Sequence, residues 1–300
     1  MRAETAAIVH TEGESNTSAA RSDWSAGIGD AGTRALLARD SAAFLHQSLS
    51  SPCLTAIAKA EGIWIEDTMG RRYMDFHGNS VHHIGYGHPR LKEAIKAQLD
   101  NLCFAPRRFT CEPAVELAET LGRMAPGDLG KVLFTTGGSD AIEVALRLAR
   151  AATGRFKTLS FWDAFHGAGF GASSVGGEAT FRSGIAGPLL PGAEHVAPWG
   201  TRNCAYGHDN LEDSARACAR MISYVLAREG DVAAVVAEPM RATPYPPAPG
   251  FWKSVREACD RHGTLLIFDE IPTGLGKTGR FFAHEHDEVQ PDMVVLGKAL

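Results

Sequence analysis

The stretch Leu265-Leu266-Ile267-Phe268-Asp269-Glu270 runs through four apolar residues and stops at two carboxylates. A short run without polar alternation has both faces buried, as in a strand inside a parallel sheet. The surrounding text repeats this form. Upstream, Val232 to Ala237 is an apolar run ending at Glu238-Pro239, and downstream Met293 to Leu296 ends at Gly297-Lys298. Farther upstream, Thr158 to Trp162 leads into Phe165-His166-Gly167, and Val132-Leu133-Phe134 leads into Thr135-Thr136-Gly137-Gly138-Ser139. Helical stretches over 212 to 228 and 250 to 262 separate several of these runs. Strands alternating with helices predict the α/β class, a mostly parallel sheet with helices on both faces.

The 300 residues have room for one large domain and a smaller one. Residues 1 to 40 are rich in Ala, Ser, Gly and Thr and predict a poorly ordered arm. Residues 41 to 105 form a second segment, part of a small α+β domain. In it Ile63-Trp64-Ile65 and Arg72-Tyr73-Met74 flank Asp67-Thr68-Met69-Gly70 as a hairpin, and Leu91, Ile95, Leu99 and Leu102 share one helix face. Residues 106 to 300 make the large domain. There a helix opens at Pro113, and Asp140 and Glu143 have the spacing of a capping box.

A net charge of -5 gives no general reason to bind nucleic acid. The longest apolar run, Val232 to Ala237, falls far short of the ~18 residues a membrane helix needs. Six cysteines without a CxxC pair read as reduced thiols of a cytoplasmic protein, with no metal site.

In doubly wound folds ligands bind at the carboxyl ends of the strands, where four features gather. Gly137-Gly138-Ser139 is either an anion-binding turn at a helix N-terminus or a plain tight turn. Phe165 suits a flat ligand or a core, and His166 alone reads as a structural histidine. Asp269 needs a partner, which a metal, a base or a protonated heterocycle would each supply. Lys298 is a surface lysine or, in a closed pocket, a Schiff-base nucleophile. An ATPase reading of Asp269-Glu270 with Gly276-Lys277-Thr278 fails, because Ile271 stands where a P-loop needs glycine and the order is reversed. Phosphate turn, aromatic, carboxylate and lysine are together what pyridoxal 5'-phosphate requires.

From about residue 45 onward the chain resembles the class III aminotransferases, pyridoxal-phosphate enzymes of fold type I. The resemblance rests on Asp75-Phe76 through Gly87-His88-Pro89, Gly137-Gly138-Ser139-Asp140-Ala141 and Phe165-His166-Gly167. It continues through Glu238-Pro239, Pro247-Ala248-Pro249-Gly250-Phe251, Asp269-Glu270-Ile271-Pro272-Thr273-Gly274, Gly279-Arg280 and Gly297-Lys298-Ala299-Leu300. It implies that Gly138 and Ser139 hold the cofactor phosphate and Phe165 stacks on the ring. Asp269 would pair with the ring nitrogen, and Lys298 would be the Schiff-base lysine and the proton carrier. Glu238 would lie near the substrate side of the ring, His82 in a loop edging the site, and the enzyme would be a homodimer acting on a small-molecule amine.

Two departures narrow the function. Pro272 stands where the family commonly has Gln, and Met240-Arg241-Ala242-Thr243-Pro244-Tyr245 replaces the usual turn after Glu238-Pro239. Arg241 would meet a carboxylate, phosphate or phosphonate, or else lie at the surface or pair with Glu238. With Asp75-Phe76-His77-Gly78-Asn79, these features are similar to a subgroup active in aminophosphonate breakdown, whose known activity is (R)-1-hydroxy-2-aminoethylphosphonate ammonia-lyase. Ordinary amino-group transfer to a keto acid and an inactive shortened relative stay open as alternatives. The resemblance also implies on the order of 100 further residues after Leu300, a typical small domain. Without them, exposed apolar surface and weak or absent activity are expected.

Overall fold

A computed structural model describes residues 19–27, 29–44, 53, 55–106, 108–182, 187–201, 204–241 and 245–300. The chain divides into two compact units, Met1–Phe109 and Thr110–Leu300.

In the first unit, α1 (Ala19–Gly27) and α2 (Ala31–Ala43) precede β1 (Ile57–Glu61), β2 (Trp64–Asp67), β3 (Arg72–Met74) and α3 (Pro89–Asn101). The predicted hairpin is β2 and β3, and β1 extends it to a three-stranded antiparallel sheet. Asp67 locks its turn: Oδ1 accepts the N–H groups of Met69 and Arg71, and Oδ2 accepts from Arg71 Nε and the Tyr73 hydroxyl. The region expected to be a loose arm holds more regular structure than its composition suggests. Asp30 caps α2 by accepting the Thr33 N–H at 2.7 Å, and Thr33 is buried against the Thr68 hydroxyl at 2.5 Å. Residues 1–18 of that predicted arm lie outside the described residues.

The second unit contains α4 (Glu112–Met124), α5 (Gly138–Thr153), β4 (Lys157–Phe161), α6 (Phe170–Val175), α7 (Ala179–Arg182) and β5 (Ala193–Val196). It continues through α8 (Leu211–Glu229), β6 (Val232–Ala237), α9 (Phe251–His262), β7 (Leu265–Asp269) and β8 (Met293–Val295). The five strands form one sheet in the order β5-β4-β6-β7-β8, with every pairing parallel. Its centre, β6, is buried at all six positions. One face packs on α5 through Ile142, Leu146 and Ala149, the other on α8 and α9 through Ile222, Phe251 and Trp252. The indole of Trp252 donates to the Pro239 carbonyl at 2.8 Å, tying α9 to the end of β6. This is the α/β architecture the apolar runs predict.

Two local expectations fail. Val132-Leu133-Phe134 forms no strand, and Leu133 is 65% exposed. A cavity of about 430 Å³ is lined by residues 131–138 and, across from them, by residues 292–298 of the β8 edge. An apolar run becomes a strand only where a neighbour completes its hydrogen bonds, and here no described strand pairs with it. The capping box at Asp140 and Glu143 is also absent: α5 starts earlier, with Gly137 as its cap residue. Glu143 instead accepts the N–H groups of Gly171 (2.7 Å) and Ala172 (3.0 Å), capping α6 from across the interface.

Replacing Ile142, which is wholly buried between α5 and the sheet, with Ala is expected to cost about 2–5 kcal/mol in urea unfolding. Leu133→Ser is expected to stay within about 0.5 kcal/mol, as for an exposed position. A large loss at Leu133 would contradict its exposed placement.

Candidate active site

Parallel strands bring all their carboxyl ends to one edge of the sheet, and the loops that leave β4, β7 and β8 meet the N-terminus of α5 there. The approach is close enough to exclude side chains. A Cβ on Gly138 would lie 2.8 Å from Ile271 Cδ1, and one on Gly297 would lie 3.3 Å from Ile271 Cγ2 and 3.9 Å from the Gly138 Cα. A Cβ on Gly167, whose φ is +126°, would collide with Ser139 Oγ. Ser139 Oγ instead accepts the Ala168 N–H at 3.1 Å.

No side chain caps α5 at Gly137. The first N–H groups of the helix therefore lack an intrahelical partner, and the helix dipole adds partial positive charge. Asp140 accepts from the Thr136 hydroxyl rather than bonding back to the helix end. A 16-residue helix with such an opening suits an anion.

Asp269 ends β7 and is 1% exposed. Its Oδ1 accepts the Ile271 N–H at 3.1 Å, and its Oδ2 accepts from His166 Nδ1 at 2.8 Å. His166 is buried too, with Nε2 3.2 Å from the Ser160 hydroxyl. Burial alone would strip the proton from this imidazole. The hydrogen bond and charge of Asp269, with the charge of Glu238, reverse that and raise its pKa. His166, read from sequence as structural, is thus joined directly to the candidate site carboxylate.

The neighbouring carboxylate does different work. Glu270 accepts from Thr273 Oγ1 (2.7 Å), His284 Nδ1 (2.8 Å), the Ala283 N–H (3.0 Å) and the His284 N–H (2.9 Å). It anchors the one-turn helix Ala283–His286 beneath the loop.

Lys298 follows β8 by three residues and holds φ +54°, a left-handed conformation that costs a non-glycine residue energy. Asp163 and Leu275, in the loops after β4 and β7, share that conformation. The residues after Leu275 form turns, and no helix opens at Gly276-Lys277-Thr278, in keeping with the rejected P-loop. Sequence reasoning missed one neighbour of the lysine. Burial, and then the charge of Lys298, hold Lys277 below its usual pKa, so the two ammonium groups are within electrostatic reach.

The remaining predicted residues are placed as follows. Phe165 is half-buried, with its ring 4.6 Å from that of Phe181. Glu238 is buried directly after β6. Arg241 donates through Nη2 to the Asp163 carbonyl at 2.9 Å, while Ala242, Thr243 and Pro244 lie outside the described residues. His82 belongs to the first unit, where its ring lies 3.7 Å from that of Tyr86. One edge of the sheet therefore gathers an uncapped helix N-terminus, a buried carboxylate with acceptor capacity left, and a lysine.

The family described as Aminotransferase class-III matches this chain over residues 46–300. The (R)-1-hydroxy-2-aminoethylphosphonate ammonia-lyase of Vibrio splendidus (strain 12B01) is 44% identical, over 96% of this chain and 63% of its own length. The acetylornithine aminotransferase of Methanopyrus kandleri is 37% identical, over 85% of this chain and 61% of its own. Among solved structures, the PLP-bound amine transaminase from an uncultivated Pseudomonas species superposes with a TM-score of 0.77 at 35% identity. That match covers 85% of this chain and 62% of the transaminase. The chain thus spans about three fifths of the length of these relatives.

The pH response of the loop follows from Glu270. Burial works against its charge, but the hydrogen bonds from His284, Thr273 and the backbone outweigh it and hold the carboxyl below its usual 4.5. A depressed carboxyl stabilises the fold above its unfolded pKa and loses that contribution as pH falls through the folded one. Glu270→Gln is expected to cost about 1–3 kcal/mol near neutrality. The gap to the unmodified protein in thermal melts should be full above pH 4.5 and narrow as the pH falls below it. A gap independent of pH would show that the Glu270 charge is not what anchors the loop.

Proposed function

The chain belongs to the class-III aminotransferase family, and on that premise we propose that it is a pyridoxal 5'-phosphate enzyme acting on a small primary amine, as an ammonia-lyase of an aminoethylphosphonate. The observation that carries the reading is the parallel register of β7 with β8. It sets Asp269 opposite Val295, with Lys298 three residues beyond and Gly297 against the start of α5. The residues present fit the cofactor. The uncapped α5 end with Gly137, Gly138 and Ser139 would take the phosphate, and the buried Asp269 would take a protonated ring nitrogen. Phe165 would lie on a ring face, and the Lys298 amine would hold the aldehyde.

When bound, the cofactor supplies an electron sink for negative charge developing at the amine-bearing carbon of the substrate. The protein's part is positional and acid–base. Asp269, out of water and hydrogen-bonded on both oxygens, would hold the ring-nitrogen proton in place. Lys298 Nζ would take the proton from the amine-bearing carbon and pass it to the hydroxyl that leaves the neighbouring carbon as water. Arg241, fastened to the loop after β4 through Nη2, has further N–H donors in its fork that would suit a phosphonate, and Glu238 would lie on the substrate side.

The lyase is favoured over transfer to a keto acid by the 44% identity with the ammonia-lyase across nearly the whole chain. Transamination remains the second reading, supported by the acetylornithine aminotransferase. A cytoplasmic homodimer belongs to the same proposal. Apolar side chains exposed on α3 and α4, such as Leu91, Leu99 and Leu117, would supply interface material, and no disulfide joins the described cysteines. Among the described residues no helix is long and apolar enough to cross a membrane.

Incubation with (R)-1-hydroxy-2-aminoethylphosphonate and no keto acid is expected to release ammonia and phosphonoacetaldehyde in equal amounts. Product formation only when a keto acid is added would replace the lyase by a transaminase. Borohydride reduction followed by peptide mass spectrometry should place a pyridoxyl group on Lys298 and none in Lys298→Ala. Failure to label the unmodified protein would remove the cofactor assignment.

A further inference from the structure

Three polar side chains form a continuous line in the interior of the second unit. Ser160 lies on β4, His166 in the loop after it, and Asp269 at the end of β7, with β6 between the two strands in the sheet. All three are almost completely buried. The links are 3.2 Å from Ser160 Oγ to His166 Nε2 and 2.8 Å from His166 Nδ1 to Asp269 Oδ2.

The connectivity is that of a Ser-His-Asp hydrolase triad, but burial excludes that chemistry: Ser160 is 1% exposed and out of reach of any substrate. The line works in the other direction, toward Asp269. Nδ1 must carry hydrogen to bond a carboxylate, so Nε2 is either an acceptor on neutral imidazole or a donor on imidazolium. A hydroxyl can rotate to serve either state, which means Ser160 leaves Nε2 partnered whichever form is present. Each oxygen of Asp269 accepts one protein hydrogen, from His166 or from the Ile271 N–H, and so keeps a lone pair for another donor. A buried carboxylate fixed at both oxygens by partners on separate elements cannot rotate away from that donor.

We propose that Ser160 and His166 are positioning residues that orient the Asp269 carboxylate toward a protonated heterocyclic nitrogen. This rests on the reading of Asp269 as the partner of the pyridoxal-phosphate ring. The raised basicity of His166 agrees with it, since the groups that raise it are Asp269 and Glu238.

The test uses His166→Phe, which keeps a ring but removes both nitrogens, His166→Asn, which keeps an N–H donor near the Nδ1 position, and Ser160→Ala. Each is compared with the unmodified chain by equilibrium binding of pyridoxal 5'-phosphate and by the ¹⁵N resonance of ring-labelled cofactor, which reports protonation of the ring nitrogen. Circular dichroism melts of the cofactor-free proteins check folding. Loss of a charge-assisted hydrogen bond predicts that His166→Phe binds about tenfold or more weakly, with the resonance moved toward the unprotonated position. His166→Asn should recover most of both effects, and Ser160→Ala should show a smaller shift in the same direction. If His166→Phe does not fold, the other two variants decide the matter by the same readouts. A folded set with unchanged affinity and unchanged resonance overturns the positioning role while leaving the cofactor assignment standing. No binding by the unmodified chain overturns the cofactor assignment and the positioning role together.

Discussion

Ile267, Phe268 and Asp269 pair in parallel with Met293, Val294 and Val295, and this short ladder underlies the whole site. Parallel strands end on the same edge of a sheet, so two groups distant in sequence become neighbours when each follows its strand. Asp269 closes one strand, and Lys298 follows the other after a glycine packed against Ile271 and the first residues of α5. A one-residue slip in this register would turn the Asp269 side chain to the opposite face of the sheet, away from His166. Leu266 and Ile267, fully buried on opposite faces of the sheet, resist the slip, because each would exchange one core for the other.

Burial of charge explains how the same edge is divided between support and chemistry. Asp269 and Glu270 are adjacent and both almost fully buried, yet each has a separate histidine and a separate set of N–H donors. Glu270 accepts four hydrogen bonds and has its acceptor capacity filled by the loop it anchors. Asp269 accepts two and keeps capacity for a ligand. An unpartnered buried carboxylate would be costly, so the asymmetry of partners marks which of the two is supporting structure and which can face a cation.

Much of this was legible in the sequence. The runs at 158–162, 232–237, 265–268 and 293–296 coincide with β4, β6, β7 and β8 to within a residue at either end; burial on both faces leaves an unbroken apolar signature in β6 and β7, while Thr158 and Ser160 interrupt it in β4. Strand β5, Ala193–Val196, was not legible. Its sequence Ala-Glu-His-Val carries two polar residues at the sheet edge, and His195 is accommodated by the Val175 and Gly176 carbonyls, the ring of Trp162 and a contact with Arg182 Nη1. Strand β1 was missed for a related reason, since its five residues are all exposed. The apolar run at 132–134 misled in the opposite sense, having the composition of a strand and no partner among the described residues.

For the site itself, the sequence determined the residue types and their order: glycines and a serine before a helix, an aromatic and a histidine after one strand, a carboxylate after another, a lysine after a third. Those follow from chain-local rules of strand ends, turns and helix starts. The tertiary structure alone decided that Glu143 caps α6, that His166 and Ser160 stand behind Asp269, and that Lys277 lies near Lys298. Each of these joins separate elements, and hydrogen bonds and charges at 3 to 5 Å depend on where the strands and helices come to rest, which no spacing within one segment encodes.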